Sequence, residues 1–465
     1  MSLASGELAL FGGAPVVRRR GDSGGPSPEG GPAHRLWPIV TDDERQAVMR
    51  VLDRGILSGP FAPEATALEE EFARFVGARH CLLSHCGTSA LAMALGAAGV
   101  KAGDEVLVPA YSFVATPLSV LQIGAIPVFV DVDDSANGTG CIDPGALAAA
   151  ITPHTRAVMP VHMHGGAADM TAIVAFARAR GLRVIEDAAQ AHGTTCDGRP
   201  VGAIGDAGGF SLQSSKNLGA GEGGLFVTND RAMAEEANSI RNFGQNLLLA
   251  DGRGYDRTRP LDGGRPLDSQ RIGSMYRGNE MMAAFARAQL ARLPERTARC
   301  QKNAERLSLA LADLPGVTPP RAVPGRTSVH HKYRVQLDPQ RAGVELSPEG
   351  LRDATAKALS AEGLEVVFWQ GAPLPAQPVF QRRDPAMGFP ASRPGGADLA
   401  SNYQPARYPK TRALLDGSIV LFSQSCPLIA QDDDLVDRYI EAFRRVWHHR
   451  AALAAWAARQ PPTAA

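Results

Sequence analysis

The stretch from Val184 to Gly224 reads VIEDAAQAHGTTCDGRPVGAIGDAGGFSLQSSKNLGAGEGG and holds the residues best suited to chemistry. One lysine, Lys216, stands among Ser, Gln, Asn and Gly, and an acid, Asp187, closes the apolar run Val184-Ile185. A lysine amine can form a Schiff base with a carbonyl. An aldehyde-bearing pyridine needs such an amine, an anion beside its ring nitrogen, hydrogen-bond donors for its phosphate and a flat group over one face. A carboxylate at the carboxyl end of a parallel strand sits where open α/β sheets bind ligands, and Asp187 fits that position. There it would keep a pyridinium protonated and make the ring an electron sink.

The elements around this stretch must bring these groups together. Strand-like runs at Cys81–Ser84, Glu105–Val108, Ile126–Val130, Ala157–Val161 and Arg183–Asp187 alternate with helical segments at Thr116–Ile123, Gly145–Ile151 and Asp169–Arg178. That alternation predicts an α/β fold with a mostly parallel central sheet covered on both faces. Thr41-Asp-Asp-Glu44 is a capping box that starts a helix, with Gly55 at its stop. Gly87-Thr88-Ser89 opens a small-residue helix whose free N–H groups, two hydroxyls and glycine form an anion site, although a plain helix cap has the same pattern.

Length and charge narrow the class. The 465 residues allow a large domain and a smaller one. The chain divides into an arm at 1–35 rich in Gly, Pro and Arg, a large domain at 36–293, a smaller α+β domain at 294–455 and a tail at 456–465. The arm reads as disordered or laid on a partner, and the Ala-rich end as frayed. Lys and Arg number 48 and so do Asp and Glu, so no overall field draws the chain to nucleic acid or an anionic membrane. Six cysteines without C-x-x-C spacing read as reduced and the compartment as cytoplasmic. The uncharged stretch Val106–Val130 carries three prolines and divides into strand, helix and strand, which argues against a membrane span. His162 and His164 lack further ligands at metal spacing, so no metal is expected.

EDAAQAHG at Glu186–Gly193, FSLQSSKNLGAGEGG at Phe210–Gly224, GTSAL at Gly87–Leu91 and PAYSFVAT at Pro109–Thr116 resemble the DegT/DnrJ/EryC1/StrS family over most of the chain. These are fold-type I pyridoxal-phosphate enzymes that aminate keto-sugars and cyclitols. The resemblance implies pyridoxal 5′-phosphate bound through Lys216, with pyridoxamine 5′-phosphate as the intermediate form. It places Asp187 at the ring nitrogen, Gln190 at the phenolic oxygen and Phe113 over the ring. Gly87, Thr88, Ser89 and Ser211 fall at the phosphate. The amino donor implied is glutamate or glutamine, and the acceptor a sugar, nucleotide-linked or not, or a cyclitol of secondary metabolism. A homodimer with active sites at its interface follows from the same resemblance.

His162, His164, His192, Arg277, His331 and Lys332 are candidates for the substrate, and His192 alternatively positions Asp187 or fills the core. Arg253, Arg257, Arg265 and Arg271 lie in a polar loop that suits a diphosphate. In Gly273-Ser-Met-Tyr-Arg-Gly-Asn-Glu280, Met275 replaces the asparagine that the family commonly sends to the neighbouring subunit's cofactor phosphate. A sugar dehydratase on the same fold is the nearest alternative. Members that deoxygenate sugars commonly replace the Schiff-base lysine by histidine, however, and Lys216 is present. A non-catalytic cofactor-binding regulator would need a DNA-binding helix pair that residues 1–35 are too short and too Gly/Pro-rich to supply.

Overall fold

The computed structural model describes residues 7–17, 33–59, 62–133, 139–245, 248–249, 255–256, 268–385, 389 and 401–460. Its centre is a seven-stranded sheet built from β1 (His80–Ser84), β2 (Glu105–Pro109), β3 (Ile126–Val130), β4 (Thr155–Val158) and β5 (Arg183–Asp187), together with β8 (Ala207–Ser211) and β9 (Gly224–Thr228). Between β5 and β8 lies a small hairpin of β6 (Thr195–Cys196) and β7 (Arg199–Pro200), and a second hairpin pairs β10 (Leu248–Leu249) with β11 (Tyr255–Asp256). The order across the large sheet is β1-β9-β8-β5-β4-β2-β3, with only β9 running against the rest. Strands β2, β3, β8 and β9 are buried along their whole length, as apolar strands covered by helices on both faces must be.

Local sequence accounts for the first helices. Helix α1 (Asp42–Arg54) starts on the Thr41/Glu44 capping box and stops at Gly55 in a left-handed conformation. Helix α2 (Pro63–Val76) has its proline at the first position, where a missing N–H costs no intrahelical bond. Glu280 receives the backbone N–H groups of Glu64 and Ala65 at 3.0 and 2.7 Å and pairs with Arg54 at 2.9 Å, tying α2 to the helix Glu280–Leu311. The uncharged stretch resolves into β2, helix α4 (Ala115–Gln122) and β3, and no helix among the described residues is long and apolar enough to cross a membrane. No disulfide joins the six cysteines.

The smaller part is a four-stranded antiparallel sheet in the order β12-β13-β15-β14, from Val317–Thr318, Tyr333–Leu337, Ser418–Leu421 and Val366–Val367 respectively. The expected division at 293/294 falls inside one helix, Glu280–Leu311, which carries Pro294 internally and serves both parts. Residues 7–17 are not a loose arm. Leu8 and Val17 are buried, and the Glu362 carboxylate accepts the N–H groups of Ala9 and Val16 at 2.9 and 3.2 Å. Nor is the Ala-rich end frayed: Arg450–Ala457 is helical, Leu453 is buried, and Trp456 meets Phe11 edge-on with ring centres 6.4 Å apart. Arg18 to Arg20 lie outside the described residues.

One buried acid holds the centre of the sheet in register with the loop that follows it. Glu186, fully buried, accepts the N–H groups of Gly202, Ile204 and Gly205 at 2.7, 2.7 and 2.6 Å and faces His162 Nε2 at 3.0 Å. Each donor orphaned in the interior costs roughly 1–3 kcal/mol, so Glu186→Ala is expected to destabilise the protein by roughly 3–5 kcal/mol even after partial relaxation. Glu186→Gln keeps the volume and one acceptor oxygen, and its loss should be smaller. A lowered thermal midpoint in that order, measured on both variants, checks the role; an alanine variant as stable as the parent would refute it.

Candidate active site

The carboxyl ends of the parallel strands converge on one cleft. Asp187 is the last residue of β5 and Ser211 the last of β8. The turn after β2 delivers Tyr111 to Thr116, and β1 runs into helix α3 (Gly87–Ala97). Gly87 lies so close to Ser211 that a Cβ there would stand 2.8 Å from the serine Cβ, and a Cβ on Gly224 would come within 2.2 Å of the Cys86 carbonyl oxygen. The small residues of both motifs thus let the start of α3 press against β8 and β9.

Asp187 is nearly fully buried. Thr116 Oγ1 donates to its Oδ2 at 2.7 Å, and the Ala189 N–H donates to its Oδ1 at 3.1 Å. Burial raises its carboxyl above the ordinary range, against the opposing pull of Thr116, the Ala189 N–H, Lys216 and His162. Such a carboxylate lacks a close cationic partner, and a protonated ring nitrogen would supply one. Ser112 Oγ and Thr116 Oγ1 are 2.8 Å apart and extend the support.

Lys216 is half-buried, on a loop held by three flanking bonds. Its N–H donates to the Gln213 carbonyl at 2.8 Å, its own carbonyl accepts from Trp37 Nε1 at 2.8 Å, and the neighbouring Asn217 donates to the Val329 carbonyl at 2.9 Å. Burial pushes its amine down to about 8, while the Asp187 carboxylate acts in the opposite direction. A larger share of Lys216 is therefore neutral, and nucleophilic, near neutrality than for a solvated lysine.

Phe113 presents an exposed ring at the turn after β2, as a side chain covering a flat ligand would. Gln190 is buried and its Oε1 accepts the His164 N–H at 2.9 Å, which orients the amide and leaves its nitrogen as the donor. Ser211 is buried beside Gly87, and Thr88 is half-buried. Ser89 is more committed than its sequence position suggests: its Oγ donates to the Cys86 carbonyl and lies 2.8 Å from His85 Nδ1, so the anion-binding capacity of this turn rests on the backbone N–H groups of α3. The residues present suit an aldehyde-bearing pyridine phosphate on each count.

The substrate candidates divide. His162 is fully buried, with Nε2 at Glu186 and Nδ1 accepting the Ala168 N–H at 3.2 Å, so neither ring nitrogen is available to a substrate. His192 is also fully buried, edge-on to Phe72 and tilted against Phe210, and makes no bond to Asp187; burial lowers its pKa to about 3, so it is a neutral core ring. Arg277 donates to Asn242 Oδ1 at 2.9 Å and stacks over Phe243. His331 and Lys332 are buried at the start of β13, with His331 Nδ1 3.3 Å from Asn217 Oδ1. Arg271 pairs with Glu236, while Arg253, Arg257 and Arg265 lie outside the described residues. No cluster of three or more metal-ligating side chains occurs among the described residues. His164, also a substrate candidate, is buried, with Nε2 2.7 Å from the Tyr111 hydroxyl. Thr116 carries more of the site than residue type alone indicates, and could have been suspected from its place in PAYSFVAT.

The family model for the DegT/DnrJ/EryC1/StrS aminotransferases matches residues 38–394. The chain is 35% identical over 469 residues to an L-glutamine:2-deoxy-scyllo-inosose aminotransferase of Streptomyces kanamyceticus, covering 98% of this chain and 100% of that protein. It is 38% identical over 384 residues to the L-glutamine:scyllo-inosose aminotransferase of Streptomyces griseus, covering 81% and 84%. The crystal structure of 3-amino-5-hydroxybenzoic acid synthase superposes with a TM-score of 0.75 at 31% identity, covering 90% of this chain and 99% of that one. The fold is thus that of a fold-type I aminotransferase. This chain belongs to the DegT/DnrJ/EryC1/StrS aminotransferase family.

The lowered amine gives a direct test on protein freed of cofactor. Acylation of Lys216, followed by peptide mapping with Lys216→Ala as the blank, should rise with pH to a plateau with its midpoint near the amine's value of about 8. Because the Asp187 carboxylate favours the charged amine, Asp187→Asn should move that midpoint lower. A midpoint at the ordinary lysine value, or an upward move in Asp187→Asn, would contradict the geometry.

Proposed function

We propose that this aminotransferase moves the amino group of L-glutamine to the ketone carbon of a scyllo-inosose-type cyclitol, using pyridoxal 5′-phosphate attached to Lys216. The observation that carries the reading is the lysine of lowered pKa in one cleft with the buried, cation-seeking Asp187, on a chain similar along its whole length to a glutamine-dependent cyclitol aminotransferase. Asp187 would face the ring nitrogen, the Gln190 amide nitrogen would donate to the phenolic oxygen, and Phe113 would cover one face of the ring. The phosphate would take the N–H groups of Gly87 and Thr88 and the Ser211 hydroxyl, and the Ser89 N–H, which donates to Cys86 Sγ at 3.4 Å, would have to leave that cap to join them.

Bound there, the cofactor supplies an electron sink for the bond-breaking at the donor's α-carbon. The protein's part is positioning and proton transfer. Lys216 Nζ takes the proton from the α-carbon in the first half-reaction, and in the second it returns a proton to the carbon that was the ketone. Thr116 and the Ala189 N–H hold the Asp187 carboxylate in place throughout, so the ring nitrogen stays protonated.

A second copy of the chain completes the assembly in this reading. Leu57, Phe243, Met275 and Met281 are exposed, and the strand-like contact of Asn242 with Met275 and the Glu280 N–H to Leu57 bond place them along one face. Such a face favours covering by a partner over water. Met275 brings an apolar side chain to this surface where the family commonly has an amide that reaches the neighbouring subunit's cofactor phosphate, so that particular contact has no counterpart here.

Incubation of the cofactor-loaded enzyme with L-glutamine and scyllo-inosose or 2-deoxy-scyllo-inosose should yield the amino-cyclitol and 2-oxoglutaramate by mass spectrometry. Lys216→Ala should yield neither. Turnover confined to a nucleotide-linked keto-sugar would overturn the cyclitol assignment, and no amine from any ketone would overturn the activity.

A further inference from the structure

A cavity of about 90 Å³ lies where the small sheet meets the loops of the large one. Alternation along β13 turns Tyr333, Val335 and Leu337 into the core and sets Lys332, Arg334 and Gln336 along the cavity, opposite Met163 and His164. Its lining holds the cationic side chains of Arg321, Lys332 and Arg334 and no carboxylate.

Two nitrogens of its lining residues are buried and have no hydrogen-bond partner among the described residues, Lys332 Nζ and His164 Nδ1. Both residues are held in place by other atoms. His164 Nε2 lies 2.7 Å from the Tyr111 hydroxyl, its N–H donates to Gln190, and its carbonyl accepts the Lys332 N–H at 3.3 Å. Trp369 packs edge-on against both Tyr111 and His164. The charge of Lys216 reaches Lys332 as well as His164 and, with burial as the larger cause, lowers the Lys332 amine to about 8. Two buried amines near one another, with an unpaired imidazole nitrogen between the domains, are costly unless an anion joins them.

Resting on the aminotransferase reading above, we infer that Lys332 and His164 form the subsite for the amino donor's α-carboxylate, and so decide which substrate the cleft takes as an amino acid. A carboxylate has two oxygens to offer two donors, His164 being the tautomer with its proton on Nδ1 and Tyr111 donating to Nε2. The glutamine that enters and the 2-oxoglutaramate that leaves both carry that carboxylate, whereas a cyclitol ketone is uncharged. A charge subsite therefore distinguishes two ligands that must use one cleft in turn. The α-carbon, one bond from the carboxylate, is then held within reach of Lys216.

The test uses the cofactor-loaded enzyme and glutaramate, which is glutamine without its α-amino group and so cannot displace Lys216 from the cofactor. Lys332→Met keeps the length and buried stem of the side chain without its charge, and the visible band of the lysine-bound cofactor reports that the cleft is intact. Calorimetry should find glutaramate bound at least about tenfold more weakly by Lys332→Met than by the parent, with most of the binding kept in Lys332→Arg. The glutamine concentration that half-converts the lysine-bound band should rise by a similar factor. The ketone concentration that restores it from the pyridoxamine form should stay within about twofold. Equal glutaramate affinity in parent and Lys332→Met, or equal losses in both half-reactions, would overturn the inference. A parent enzyme whose band glutamine does not convert would instead refute glutamine as the donor, and the glutaramate titration would still decide whether the carboxylate subsite exists.

Discussion

The end of strand β5 carries two neighbouring acids, and strand alternation sends them to opposite faces of the sheet. Glu186 is spent on structure: it gathers the N–H groups of Gly202, Ile204 and Gly205 and the ring of His162, fixing the loop that leads into β8. Asp187, the acid proposed for the cofactor's ring nitrogen, is held by Thr116 and the Ala189 N–H, and the charge of Lys216 also acts on it. A slip of one residue would exchange the two environments and place the wrong acid in the cleft. The dense set of bonds to Glu186 is what makes such a slip costly, so the catalytic position depends on a residue that never meets a substrate.

Much of this arrangement was legible because it is local. The β2–α4–β3 division follows from prolines within an uncharged run, the start of α1 from Thr41 and Glu44, and the meeting of Asp187 with Lys216 from strand-end placement and a small-residue loop. What was not legible depends on pairing across long separations. His162 has the composition of a substrate ligand, yet its two nitrogens are taken by a residue 24 positions away and a backbone group six away. Thr116 reaches Asp187 across 71 positions, and no periodicity announces a side chain that completes another's shell. The segment 7–17 lacks an amphipathic pattern because its anchoring runs through backbone N–H groups to Glu362, a mode that leaves no trace in side-chain order.

Electrostatics in the cleft are set by burial more than by pairing. Lys216 and Lys332 are both lowered, His164 and His331 are held neutral, and Asp187 is raised, each with burial as the leading cause. Without ligands, the cleft therefore stores unfavourable solvation that charged ligands can relieve. That is an economical way to make binding depend on charge, since the fold itself has already borne the cost of keeping these groups out of water.

The clasp between the two ends of the described chain has a consequence for how the protein comes into being on the ribosome. The strands of the large sheet lie between residues 80 and 228, so that layer has all its strands once the first half of the chain has emerged. The smaller part cannot close in that way. Ala9, made before the sheet, finds its Glu362 acceptor 353 positions later, and Arg445, which completes the same knot, and the helix carrying Trp456 come later still. Since loop closure over such a span is slow, the segment 7–17 must wait, unsatisfied, at least until Glu362 has been made. The order of assembly is thus large sheet first and clasp last.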